Sequence, residues 1–116
     1  DDQKRFLLVK EDDDFWNLPG GGLDHGEDIR TCISREIQEE MGIPVTLVAD
    51  NPSYFTAFFD DRWRTNVVYL TKLEHLNFTP SEECLELRFF SVAEAKKEKL
   101  YESTLKFIEV YKPENH

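Results

Sequence analysis

The sequence is short of cysteine, of basic residues and of long apolar runs, and each shortage removes a class of protein. The two cysteines, Cys32 and Cys84, fit no metal-binding spacing, and a reducing, cytoplasmic setting is the default for such a chain. No apolar run approaches the ~20 residues of a membrane span, and no charged-apolar-small pattern at the start suggests a secretory signal. No membrane partner is therefore expected. Basic residues number 14 against 24 acidic, for a net charge of −10. Such a field repels a nucleic-acid polymer unless a local basic patch offsets it, and the sequence has no such patch. Phosphate-bearing small molecules stay admissible, provided that a few cationic side chains or bound metal ions meet their charge. Internal repeats, linkers and low-complexity stretches are also missing. The chain does not begin with Met but with acidic residues followed directly by a strand-like run, so a trimmed N-terminus and an absent first strand are expected.

What is there suits one globular domain over residues 1–116, with 40% hydrophobic and 13% aromatic residues. Arg5 to Lys10 reads as a strand, and the acidic run Glu11 to Asp14 as an exposed turn. Phe15 to Pro19 leads into three successive glycines, Gly20, Gly21 and Gly22, which suit a loop. A helix follows from about Asp28 to Met41, with Asp28 as N-cap, Gly42 as its stop and Pro44 at its exit. Strand runs are expected at Val45 to Ala49, Tyr54 to Phe59, Arg64 to Leu73 and Leu87 to Phe90, with a hairpin across Asp60 and Asp61. Ser91 and Glu94 form a capping box that opens a further helix, and a last helix spans about Thr104 to Tyr111. Strands flanked by helices indicate an α/β sandwich around a mixed sheet.

The long helix carries the chemistry. Glu36, Glu39 and Glu40 stand at i, i+3 and i+4, so their carboxylates converge on one surface, where they repel one another. At about 100° per residue, Ile29, Ile33, Ile37 and Met41 trace a drifting apolar stripe. Glu40 projects inside that stripe, Glu36 lies beside its edge and Glu39 further out; Arg30 also projects toward it near the helix start. Cys32 falls on an apolar face and reads as a buried free thiol. Carboxylates at the edge of a core are costly without a counter-charge, and hard divalent cations such as Mg²⁺ or Mn²⁺ favour oxygen ligands of this kind. From spacing alone, an ordinary charged helix explains the glutamates equally well.

The whole segment decides between them. It resembles the Nudix box, G-x5-E-x7-R-E-U-x-E-E-x-G-U with U a bulky aliphatic residue: Gly21, Glu27, Arg35, Glu36, Ile37, Glu39, Glu40, Gly42 and Ile43 fill every specified position. At usual residue frequencies such a match arises by chance with odds on the order of one in 10⁸. The lead-in Trp16-Asn17-Leu18-Pro19-Gly20 is similar to the family's, and the order of elements resembles its α/β/α sandwich apart from the first strand.

The resemblance implies hydrolysis of a nucleoside diphosphate linked to another group, releasing a nucleoside monophosphate. Carried over by position, Glu36, Glu39 and Glu40 would hold Mg²⁺ (or Mn²⁺), while Glu27 and Arg35 would brace the site and the glycine loop at Gly21 and Gly22 would bring backbone close to it. The proton-accepting base would be Glu39 or Glu36, or a glutamate of the downstream loop containing Glu82, Glu83 and Glu86, of which Glu86 is best placed by pattern. Neither the proline that marks ADP-ribose subgroups nor the tyrosine that marks dinucleoside polyphosphate subgroups stands after the box, where Phe59, Asp60 and Asp61 lie. Nucleoside triphosphates and nucleotide sugars stay open. The aromatics of Tyr54 to Trp63 and Tyr69 could stack a base, although alternating aromatics in strands more often build core. A homodimer is common in the family. Two rival readings are a catalytically silent nucleotide-binding or regulatory module of the same fold, and an acidic helix that docks a basic partner; the complete set of box glutamates argues against the first.

Overall fold

A computed structural model describes residues 3–112. Its organising element is the strand β1, Phe6–Lys10, whose sequence FLLVK is apolar at consecutive positions because both of its faces are covered. Phe6 and Leu8 enter one core with Trp16, Phe55, Ala57, Phe90, Ala95, Phe107 and Ile108. Val9, pointing to the opposite face, joins Ile37, Met41, Ile43 and Cys84 in a second. β1 pairs antiparallel with β2, Trp16–Asn17, and along its whole length with β7, Glu86–Phe90. Register keeps the faces consistent: Phe6 opposes Phe90 in the first core, and Val9 opposes Leu87, which packs on the second.

The helix α1, Ile29–Met41, covers the second core, while the short α2, Val92–Ala95, and α3, Glu102–Val110, cover the first. This is the expected α/β sandwich. The caps are those read from the sequence. Asp28 accepts from the Thr31 N–H at 2.8 Å, Gly42 closes α1 in the left-handed region at φ 69°, and the Ser91–Glu94 capping box is complete. Cys32 and Cys84 are both buried free thiols. Among the described residues, no helix is long and apolar enough to cross a membrane.

Three details depart from expectation. The run Arg64 to Leu73 is two strands, not one: β5, Arg62–Val68, pairs with β4, Ser53–Phe59, whereas β6, Thr71–Leu73, pairs with β3, Val45–Val48. The chain changes partner at Tyr69 and Leu70, where an unbroken apolar run gives no alternation by which to place the break. The ladders between named strands are antiparallel, and the parallel element is the bridge between Trp16 and Leu100.

The second departure concerns the β4–β5 hairpin. Asp60 and Asp61 turn it with φ of 54° and 63°, as the two-residue loop requires. Phe55 and Ala57 are core, packed toward α3. Tyr54, Phe58 and Trp63, however, are solvent-facing, with Tyr54 76% and Trp63 70% exposed. Registered opposite one another, Tyr54–Val67, Thr56–Thr65 and Phe58–Trp63 form an outer face without a single charge. Third, Glu11 is half-buried, while Asp12, Asp13 and Asp14 are exposed as read.

Candidate active site

The site is assembled where the glycine loop meets α1. Its lead-in is pinned to the segment before α3: the Trp16 N–H donates to the Lys99 carbonyl at 2.8 Å, and the Tyr101 N–H returns to the Trp16 carbonyl at 3.1 Å. Gly20 follows at φ 130°, a conformation that a side chain resists, and its N–H donates to Glu40 Oε1 at 3.1 Å. Gly21 is required for a different reason. A Cβ there would lie 2.3 Å from Glu36 Oε2, so the glycine is the space into which that carboxylate fits. A Cβ on Gly22 would meet nothing within 4 Å. That residue contributes its carbonyl, which accepts from Arg35 Nη2 at 3.2 Å and faces the Cys32 thiol at 3.6 Å.

The box residues separate into two groups. Arg35 is the hub of the first. It grips Glu27 with two parallel bonds, Nε to Oε2 at 2.7 Å and Nη2 to Oε1 at 2.9 Å, and reaches Glu36 Oε1 at 2.9 Å and Glu39 Oε2 at 3.2 Å through Nη1. The guanidinium holds the Glu27 carboxyl down at about 2, and the surrounding carboxylates raise Arg35 above its ordinary value. Glu27 is thereby held in one orientation by its two bonds to the guanidinium.

Glu40 is the second group. It is 5% exposed, a buried carboxyl whose side chain accepts from the Gly20 N–H. Burial pushes it up to about 8; the Gly20 bond opposes that rise, and the charges of Glu83, Glu36 and Glu11 add to it. The helical wheel ordered the three box glutamates correctly. Glu40 is inside, Glu36 is at the edge with its side chain 14% exposed, and Glu39 is out at 57%. Arg30, read as projecting toward the stripe, is exposed and pairs with Asp50.

Glu83 and Glu11 enter this neighbourhood through long-range contacts. The Ser81 hydroxyl donates to the Glu40 carbonyl at 2.8 Å, the Thr79 N–H donates to the Met41 carbonyl at 2.8 Å, and the Asp12 N–H donates to the Glu82 carbonyl at 3.0 Å. The loop before β7 is thus stitched to the end of α1 and to the residue after Glu11. Glu86, the residue favoured by pattern, opens β7 with its side chain exposed and pairs across the ladder with Lys10. It is Glu83 whose charge bears on Glu40.

Among the described residues, no three acidic, histidine or cysteine side chains are already converged as a metal cage. The chemistry of the donors nonetheless fits a hard divalent cation. They are all oxygen, they cluster around a buried carboxyl that forms no salt bridge among the described residues, and Gly21 leaves the room that Glu36 needs. Glu36, Glu39 and Glu40 are the residues that would hold the ion, the first two exchanging part of their hold on Arg35 for it.

Comparison with known proteins bears on the family and the fold. A family model described as the NUDIX domain matches residues 1–111. Nudix hydrolase 27, chloroplastic, of Arabidopsis thaliana is 36% identical over 62 residues, covering 46% of this chain and 27% of that protein. An RNA pyrophosphohydrolase of Campylobacter jejuni is 33% identical over 61 residues, covering 51% of this chain and 39% of that protein. The matched stretches thus span well under half of these relatives. The crystal structure of a UDP-X diphosphatase superposes with a TM-score of 0.74 at 23% identity, covering 91% of this chain and 55% of that one, a likeness of fold.

Proposed function

Because the chain belongs to the Nudix family, we propose that it hydrolyses a diphosphate linkage in a nucleoside diphosphate bearing a further group, a nucleoside triphosphate or nucleotide sugar, and releases a nucleoside monophosphate. The observation that carries the reading is the buried Glu40 set among like charges: an arrangement that costs folding energy stands within a complete Nudix box. Nudix hydrolases work with divalent metal ions. Mg²⁺ is the proposed ion, with Mn²⁺ as its substitute, and when bound it offsets the repulsion between this acidic protein and an anionic diphosphate and makes a nearby water a better nucleophile.

The protein's own groups divide the remaining work. Glu36, Glu39 and Glu40 hold the ion. Arg35, itself fixed by Glu27, orients Glu36 and Glu39. The Gly20 N–H orients Glu40, and Gly21 keeps the loop backbone against the site. Glu83 is the proposed acceptor of the attacking water's proton, ahead of Glu39, Glu36 and Glu86, because its charge is felt at Glu40 and its side chain is exposed to an incoming substrate. Glu83→Gln is expected to lower kcat by roughly a hundredfold or more with little change in KM. An unaltered kcat, with the same loss in Glu86→Gln, would move the role to Glu86.

The test is cleavage of nucleoside triphosphates, nucleotide sugars, ADP-ribose and dinucleoside polyphosphates, each with Mg²⁺ and with chelator. The Campylobacter relative's name adds RNA carrying a 5′-triphosphate to that panel. The net charge of −10 disfavours binding along a polyanion, so the small nucleotides are expected to be preferred. Metal-dependent release of a nucleoside monophosphate supports the reading. A folded protein that cleaves no member of the panel would favour the silent nucleotide-binding module.

A further inference from the structure

Thr104 is buried in α3 at 0% exposure, far in sequence from the box, and its hydroxyl both donates and accepts. It accepts from the Leu18 N–H at 3.2 Å and donates to Asn17 Oδ1 at 2.8 Å. Both partners lie on routes to Glu40. Leu18 is separated by Pro19 alone from Gly20, the N–H donor to Glu40, and the proline ring removes one of the few rotations that could absorb a shift. Asn17 Nδ2 in turn donates to Glu11 Oε2 at 3.2 Å, placing one of the carboxylates that press on Glu40. The loop has little slack, because Gly21 is already in contact with the Glu36 carboxylate. A buried threonine could merely satisfy a backbone N–H and a side-chain amide; here the segment that it ties down leads directly to the Gly20 N–H bonded to Glu40.

We propose that Thr104 is a positioning residue for the metal-binding carboxylate of Glu40, setting the height of the Asn17–Gly20 segment above α1 from the opposite side of the sheet. This inference rests on the metal-ligand reading of Glu40. Valine at 104 preserves volume and removes both hydrogen bonds, whereas serine preserves the hydroxyl.

The experiment is Mn²⁺ titration, followed by electron paramagnetic resonance, of wild type, Thr104→Val, Thr104→Ser and Ile108→Val, each shown to be folded by circular dichroism. Ile108 lies in the same helix and core but outside this hydrogen-bond chain, so its variant controls for general loosening. Thr104→Val is expected to weaken Mn²⁺ binding by roughly tenfold or more. Thr104→Ser is expected to retain most of the affinity, and Ile108→Val all of it. Wild-type affinity in Thr104→Val overturns the inference, as does an equal loss in Ile108→Val. If Thr104→Val does not fold, Asn17→Ala, which removes the hydroxyl's acceptor at a half-buried loop position, is expected to show the same weakening, and wild-type affinity there is equally decisive. A folded wild type that binds no Mn²⁺ removes the metal-ligand reading itself, an outcome separate from failure of the threonine alone.

Discussion

Glu40→Gln is expected to all but abolish turnover and, at the same time, to stabilise the metal-free protein at pH 8. The two effects have one cause. Glu40 is 5% exposed, and burial lifts its carboxyl from 4.5 to about 8. Below about 4.5 the group is neutral both folded and unfolded and imposes no penalty. As pH rises from there toward about 8, the unfolded chain releases this proton and the folded chain keeps it. The contribution of Glu40 to stability therefore falls across that window, by at most about 1.4 kcal/mol per pH unit, and levels off above it. Gln can still accept from the Gly20 N–H and carries no charge to bury, so the slope should flatten. A divalent ion should compensate the wild type in the same window, by neutralising the carboxylate and by binding only the folded state. Thermal melts at pH 5 and pH 8, with Mg²⁺ and with chelator, check the sign. Losing a direct ligand should lower kcat by roughly a thousandfold, since the ion supplies several kcal/mol of transition-state stabilisation. Near-native turnover in Glu40→Gln would remove it from the ligand set, and a fall in its pH 8 melting temperature would show that the buried charge is not costly.

Gly21→Ala should separate activity from stability more cleanly. Gly21 does not have positive φ, so alanine meets no backbone objection. Its Cβ would instead lie 2.3 Å from Oε2 and 2.4 Å from Cδ of Glu36. The carboxylate is the end of a flexible side chain and will yield, leaving its place beside Arg35 Nη1, so the fold survives while a proposed ligand is displaced. Because misplacement by about 1 Å can cost a factor of roughly a hundred, a loss of that order in kcat is expected, with a melting temperature close to wild type. Gly22→Ala, facing open space, is the matched control and should keep its activity. Wild-type kcat in Gly21→Ala would mean that Glu36 has no fixed duty.

These variants can be designed largely because the site is written locally. The box, its Asp28 and Gly42 caps and the inward-to-outward order of Glu40, Glu36 and Glu39 all lie within a few turns of one helix, where periodicity fixes direction. Glu83 stood among three loop glutamates without preference over Glu86, and Glu11 was not a candidate, because only the pairing of β1 with β7 and the ties from Ser81, Thr79 and Asp12 bring them to Glu40. Thr104 gave no signal at all: a threonine within a helical stretch becomes informative once Leu18 and Asn17 are known to be its partners. The two residues of β2 were too short a strand to read, and the division of β5 from β6 depends on which strand each finds. The hairpin aromatics were read as core because alternation says that one face is buried without saying that the other will be charged.

That uncharged hairpin face also governs how the protein behaves in a tube. Molecules carrying −10 are held apart by repulsion, which reaches about 10 Å at 0.1 M salt but only about 3 Å at 1 M. Tyr54, Phe58, Trp63 and Val67 present an apolar surface on a seven-residue edge strand and its partner, the kind of surface that joins to its like once repulsion is gone. Lowering the pH toward the carboxylate range discharges the surface as well. The acidic conditions that relieve Glu40 are therefore those in which colloidal stability is weakest, and a buffer for this protein is a compromise between conformational and colloidal stability.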